Sequence, residues 1–315
     1  MKKVLLSGIT PSGTTGLHIG NYFGAIRQFV EFQDEYESYI MVADMHALTT
    51  VHNKEQLRKN VFDVTAAYLA CGLDPKKVNL FRQSEMSVHG ELTWIFNCIT
   101  TMPYLERAVA YKDAVANGKE SSVGLFDYPI LMAADILLYD SDIVPVGSDQ
   151  KQHIEFARDT AEKFNRIWGE TFKLPQPLIL ESTGVVPGID GRKMSKSYGN
   201  TIPLFATDEE ITKAVMSIVT DSSGERPENV YAIHKLFKTE SELEKIYSDN
   251  KGKYKFLKDM LVQDIINFVT PIREKYQMLC DNPKLVEDAL HEGGEKVKAR
   301  AIKKMQDVKK AVGLI

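Results

Sequence analysis

The first half of the chain alternates short apolar runs with longer stretches whose apolar residues recur at helical spacing. Val4 to Ser7 is a run of strand length. From His18 to Phe32, the residues Ile19, Tyr22, Phe23, Ile26 and Val30 fall on one helical face. Tyr39 to Ala43 is a second apolar run, closed by Asp44-Met45-His46. Lys54 to Cys71 places Leu57, Val61, Val64 and Tyr68 at helix spacing, and Gly72 suits the position just past its end. Val78 to Phe81 predicts a third strand, Leu92 to Ile99 lies in a further helix, and Asp142 to Val146 is a fourth strand. Strands alternating with helices predict an α/β fold, a Rossmann-like parallel sheet with helices on both faces.

The texture changes after about Pro187. From Thr207 onward the chain is charged, helix-favouring and poor in strand-like runs. The predicted organisation is a Rossmann-like domain over 1–190, a helical domain over 191–294 that begins in a lysine-bearing loop, and a C-terminal helix over 295–315 able to pack back on the first domain. That last helix carries seven Lys/Arg against two acids between Glu295 and Lys310, with Val297, Ala301, Met305, Val308 and Val312 as an apolar stripe. The pattern reads as a packed helix with a solvated basic face; a contact to nucleic-acid phosphate is the lesser expectation.

Composition narrows the class. At 315 residues, 43% apolar and 26% charged, the chain can bury a large core. A net charge of −4 excludes a surface that is basic all over, so any nucleic-acid contact must be a local patch. Cys71, Cys98 and Cys280 form no CxxC pair and no metal-ligand spacing, which suits reduced thiols in a cytoplasmic protein. Lys2 and Lys3 precede only Val4-Leu5-Leu6 before Ser7-Gly8, too short for a signal peptide, and no apolar run is long enough to span a membrane.

Two signatures carry the chemistry. The first, Pro11-Ser12-Gly13-Thr14-Thr15-Gly16-Leu17-His18-Ile19-Gly20-Asn21, follows the first strand and opens a helix. Glycines there let backbone approach a ligand, and the helix N-terminus favours phosphate. The second, Lys193-Met194-Ser195-Lys196-Ser197, sits between the turn-forming pairs Asp190-Gly191 and Gly199-Asn200. Its lysines are compact charges suited to a departing pyrophosphate. Neither G-x-G-x-x-G nor a P-loop is present. Taken singly, each signature also reads as an ordinary loop.

Together they resemble the HIGH and KMSKS motifs of class I aminoacyl-tRNA synthetases. The segments Tyr128 to Tyr139 and Val144 to Glu155 are very similar to tryptophanyl-tRNA synthetases, as are Asp44 to Thr49 and Ala214 to Ser222. The resemblance covers nearly the whole chain. It implies a catalytic domain with both motifs, a helical tRNA-binding domain, activation of tryptophan by ATP, and transfer to tRNA(Trp) by a homodimer. His18, Lys193 and Lys196 are implied as catalytic. Thr10, Pro11, Ser12, Gly20, Asn21, Gly147, Ser148, Asp149, Val185 and the stretch Lys193, Met194, Ser195, Lys196, Ser197 are implied at ATP. Mg²⁺ is expected to arrive held mainly by ATP, with no dedicated protein metal site.

For tryptophan, Tyr128, Met132, Asp135 and Tyr139 share a helical face. Asp135 interrupts an apolar helix, and an indole N–H, a donor and nothing else, would suit it. Met132, Val144 and Val146 would line the ring pocket, while His46 and Gln150 are candidates for the amino and carboxylate ends. The first motif has two more residues between Gly13 and His18 than the common bacterial form, and Thr10 stands where Gln is often found. The alternatives are a tyrosyl-tRNA synthetase, a tRNA-independent adenylating enzyme with the same motifs, and a binding protein that has lost turnover.

Overall fold

The computed structural model describes residues 2–11, 17–108, 111–112, 116, 122–147, 151–179, 186–220 and 226–315. Five strands form one parallel sheet: β1 (Val4–Ile9), β2 (Glu37–Val42), β3 (Asn79–Arg82), β4 (Ile143–Val146) and β5 (Gln176–Ile179), in the order β3-β2-β1-β4-β5. In the β1–β2 pair, Val4 lies opposite Glu37 and Ile9 opposite Val42. Four of the strands fall where apolar runs predict them. The fifth, Gln-Pro-Leu-Ile, has little apolar signal because it is a half-exposed edge strand, where Pro is tolerated.

Alternation along the strands sends side chains to two cores. Leu5, Ile40, Val42 and Leu80 join one, and Leu6, Met41, Phe81, Val144 and Val146 the other. The first face is covered by α1 (Ile19–Asn21), a π-helical stretch Tyr22–Ile26, α2 (Arg27–Phe32) and, past α3 (Asp44–Ala47) at the end of β2, α4 (Lys54–Ala70). Cys71 caps the end of α4, and Gly72 follows with φ +110°, the left-handed geometry a helix end favours. The second face is covered by α5 (Val88–Asn97), the short α6 (Met102–Leu105), α7 (Val123–Leu138) and α8 (Lys151–Trp168). The helical part follows: α9 (Asp208–Met216), α10 (Glu228–His234), α11 (Glu240–Asp249), α12 (Tyr254–Asp281) and α13 (Pro283–Val312).

The helix α13 runs unbroken through 294/295, where the sequence suggested a boundary. Its Val286, Ala289 and Leu290 belong to the first core, and Val297, Ala301, Met305 and Val308 to the second. It lies against edge strand β3, so closely that a Cβ on Gly293 would stand 1.7 Å from the Leu80 carbonyl oxygen. A helix thus covers one sheet edge. Its basic side chains turn inward as well as out: Lys304 Nζ meets Asp140 at 2.7 Å, Lys309 meets Glu91 at 2.6 Å, and Arg300 meets Glu37 at 3.1 Å.

Candidate active site

In a parallel sheet of this order, the strand connections diverge between β1 and β4, and the crevice past their C-terminal ends is the natural ligand site. A cavity of about 630 Å³ opens there. Leu6, Ser7 and Gly8 of β1, Met41 and Ala43 around β2, and Val144, Pro145, Val146 and Gly147 at β4 line it. Tyr128, Met132 and Asp135 of α7 form another wall, with His46 of α3. Thr10, Gly20, Val186, Lys193 and Met194 lie at the nucleotide-like end. The π-helical stretch supplies Gly24 and Ala25, in keeping with the habit of such irregular turns of sitting at functional sites.

The two signatures meet in space. Ile19 N–H donates to the Ile202 carbonyl at 3.0 Å, and Leu204 N–H to that of Leu17 at 2.8 Å. Met194 is buried against the first helix turn; a Cβ on Gly20 would sit 2.8 Å from His18 Nδ1 and 3.2 Å from the Met194 sulfur. Glycine at position 20 therefore gives the imidazole its place. His18 is buried, and its Nδ1 has no hydrogen-bond partner among the described residues. Burial, and then the charge of Lys196, lower its pKa from 6.5 to about 4, so the ring is neutral at pH 7. Asn21 Oδ1 accepts the His18 backbone N–H at 3.0 Å and so shapes the turn itself.

The lysine loop is organised from its far bracket. Asn200 is buried, and its Oδ1 accepts from Ser195 N–H at 2.7 Å, while its amide donates to Asp190 at 2.7 Å and to the Lys193 carbonyl at 3.1 Å. Lys193 is exposed at the cavity mouth. Pro11, His18, Asn21, Ser195, Lys196 and Ser197 lie off the cavity lining. Ser12, Ser148, Asp149, Gln150 and Val185 fall outside the described residues; Val186, beside the last, lines the cavity and takes the Met194 N–H at 2.8 Å.

The opposite end is apolar around one carboxylate. Asp135 is fully buried. His46 Nε2 donates to its Oδ2 at 2.8 Å and Gln83 Nε2 to its Oδ1 at 2.8 Å. His89 Nδ1 lies 2.7 Å from Oδ1, but its N–H points off that line, so it is a close polar neighbour more than an aligned donor. Burial alone would raise the carboxyl pKa; hydrogen bonding from His46 and the approach of His89 outweigh it and bring it to about 2. Tyr139 continues the same helical face beneath, its hydroxyl 2.9 Å from His89 Nε2. Tyr128 OH meets His153 Nε2 at 2.6 Å.

The chain matches the family model described as "tRNA synthetases class I (W and Y)" over residues 2–275. The tryptophan–tRNA ligase of Fusobacterium nucleatum is 48% identical over 98% of each chain. The chain belongs to the tryptophan–tRNA ligase family. Its fold superposes on the tryptophanyl-tRNA synthetase of Campylobacter jejuni, complexed with ADP and tryptophane, with a TM-score of 0.92 at 42% identity, covering 98% of this chain and 99% of that one. The tyrosyl-tRNA synthetase of Archaeoglobus fulgidus shares the fold alone, with a TM-score of 0.63 at 20% identity over 87% of this chain and 90% of that one. In a member of the tryptophan–tRNA ligase family, Gln83, His89, Ser7, Gly8 and Met41 are additions to the site that motif reading missed. Their signal was topological: they sit at or just beyond the ends of strands or one helix turn away, which cannot be used before strand order is known.

Proposed function

We propose that this chain activates L-tryptophan with ATP and passes it to tRNA(Trp), with Asp135 as the indole-reading residue. The observation that carries this reading is a buried, ionised carboxylate at the apolar end of a cavity whose other end is rimmed by Lys193 and a helix N-terminus. The relative from Campylobacter jejuni was solved with ADP and tryptophane, and the same two ligand classes fit the two ends here. The carboxylate has about four lone-pair sites. Among the described residues His46 and Gln83 donate to one each, and His89 Nδ1 crowds a third on Oδ1. One acceptor remains for a ligand N–H, while Tyr128, Met132, Val144 and Val146 would enclose the ring. His46 and Gln150 serve the amino and carboxylate ends.

In the first step a tryptophan carboxylate oxygen bonds to the α-phosphorus of ATP, and the bond to pyrophosphate breaks. In the second, a hydroxyl of the terminal adenosine of tRNA attacks the acyl carbon, and AMP leaves with its oxygen. Nothing covalent forms on the protein, whose part is positioning and charge stabilisation. A neutral His18 donates a hydrogen bond rather than a charge; Lys193 and Lys196 stabilise the departing pyrophosphate. Thr10, Pro11, Ser12, Gly20, Asn21, Gly147, Ser148, Asp149 and Val185, with Met194, Ser195 and Ser197, hold the nucleotide. Mg²⁺ comes with ATP, held by phosphate oxygens and water.

The helical part, 191–294, takes tRNA, and the enzyme works in the cytoplasm as a homodimer. Support for the dimer is exposed apolar side chains on two helices that pack together: Trp94 of α5 is 70% exposed and Val123 of α7 81%. ATP–pyrophosphate exchange against every amino acid tests the reading. Exchange with tryptophan alone is expected; exchange with tyrosine, or with none, would overturn it.

A further inference from the structure

Behind the cavity wall, Asp135 is held in a closed ring of polar groups. Gln83 directly follows β3 and is fully buried. Its Oε1 accepts the backbone N–H groups of Met45 at 3.1 Å and His46 at 3.4 Å. Its Nε2 donates to Asp135 Oδ1 at 2.8 Å, and His46 Nε2 returns to Oδ2 at 2.8 Å. The amide cannot be turned over, because its oxygen already receives two N–H donors.

We propose that Gln83 is a specificity-determining positioning residue, which fixes the Asp135 carboxylate so that one lone pair on Oδ2 meets the ring N–H of the amino-acid substrate. This rests on the tryptophan reading above. The physical need is plain. The terminal torsion of an aspartate is soft and nearly two-fold. A carboxylate free to rock about that torsion would not hold a lone pair on the line of a single donor. Gln83 occupies Oδ1 with a donor anchored to the Met45–His46 backbone, and His89 crowds the same oxygen. The ring also ties the β2 side of the cavity, which carries His46, to α7, which carries Asp135. A purely structural Gln83, serving only the Met45 and His46 amides, would affect all amino-acid substrates alike.

The test compares tryptophan with its benzothiophene analogue, in which sulfur replaces the indole N–H, in ATP–pyrophosphate exchange by the full chain. Gln83→Met and Gln83→Leu each remove both of the side chain's roles, with different shapes. Both should lower the tryptophan-to-analogue ratio of kcat/KM by about tenfold, the value of one hydrogen bond to a charged group, with KM for ATP unchanged. In an Asp135→Asn background, Gln83→Met should cost no further discrimination. Calorimetric binding of the two ligands gives the same ratio where turnover is lost. An unchanged ratio, or equal loss for both ligands, overturns the proposal, as does unfolding of both variants by circular dichroism. A wild-type enzyme showing no tryptophan-dependent exchange would overturn the tryptophan reading itself, a separate result.

Discussion

Asp135 concentrates the electrostatics of the site on one residue. Removing its side chain would leave the buried Gln83 amide and the His46 ring without their acceptor and open a gap beside His89, so Asp135→Ala confounds recognition with stability. Asp135→Asn keeps the shape and is expected to lower kcat/KM for tryptophan by roughly a hundredfold, as for loss of a buried charge-assisted hydrogen bond. ATP binding, followed by equilibrium dialysis, should stay near wild type; unchanged tryptophan kinetics would remove Asp135 from recognition. His18 makes a pH prediction. Its folded pKa of about 4 lies below the ordinary 6.5, so the folded state disfavours its protonation. The associated stability is complete above pH 6.5 and is lost as pH falls toward 4. An NMR titration of the His18 ring, assigned by comparison with His18→Gln, should show no midpoint between pH 5.5 and 8, a window set by the ordinary histidine range.

At the scale of elements, the decisive contact is α13 on β3. Two adjacent glycines make it, and they are not equivalent. At Gly293 an added methyl would meet the Leu80 backbone, which no rotamer change can move. At Gly294 it would meet the Glu85 carboxylate at 2.4 Å, the far end of a flexible side chain. Gly293→Ala should therefore destabilise by about 3 kcal/mol or more, at or above the upper end of the usual cost of core overpacking. Gly294→Ala should stay within about 1 kcal/mol, since a helix-interior Ala gains roughly that much over Gly. Urea denaturation midpoints compare the two, and equal losses would contradict the geometry. Because Gln83 follows β3 by one residue, the Gly293 variant should also weaken tryptophan activation. The lysine loop shows the same economy on a smaller scale: one Asn200 side chain holds Asp190, Lys193 and Ser195 in register.

For the whole molecule, the last helix is part of both cores. Deleting residues 295–315 strips Val297, Ala301, Met305 and Val308 from the second core. Three larger side chains at about 1.5–3 kcal/mol each approach the 5–15 kcal/mol that holds a typical domain together. The truncated chain is thus expected to lose its folded circular dichroism spectrum; a folded truncation that merely fails to charge tRNA would assign the helix to tRNA binding. The proposed dimer has its own check. Trp94→Glu should halve the mass measured by light scattering, and an unchanged mass would move the interface off α5.

Local pattern determined a good deal of this protein. The period of apolar residues marked β1 to β4 and the helices between them, since side-chain alternation is a property of neighbours in sequence. The glycine-rich run before His18 and the paired lysines offered groups suited to phosphate, because backbone N–H groups and ammonium charges are what phosphate oxygens bind. Asp135 stood out as a charge in an apolar helix. Other features depended on distant segments coming together. The strand Gln176–Ile179 forms because β4 offers it an edge, not because its four residues prefer extension. His46 faces Asp135, and Gln83 joins them, only once β2, β3 and α7 pack side by side. The C-terminal helix read as packed with a solvated basic face, yet three of its basic side chains, Arg300, Lys304 and Lys309, are paired to acids of the α/β core. Sequence sets which groups a segment offers; the partners that satisfy a buried charge are fixed by the packing of segments far apart in the chain.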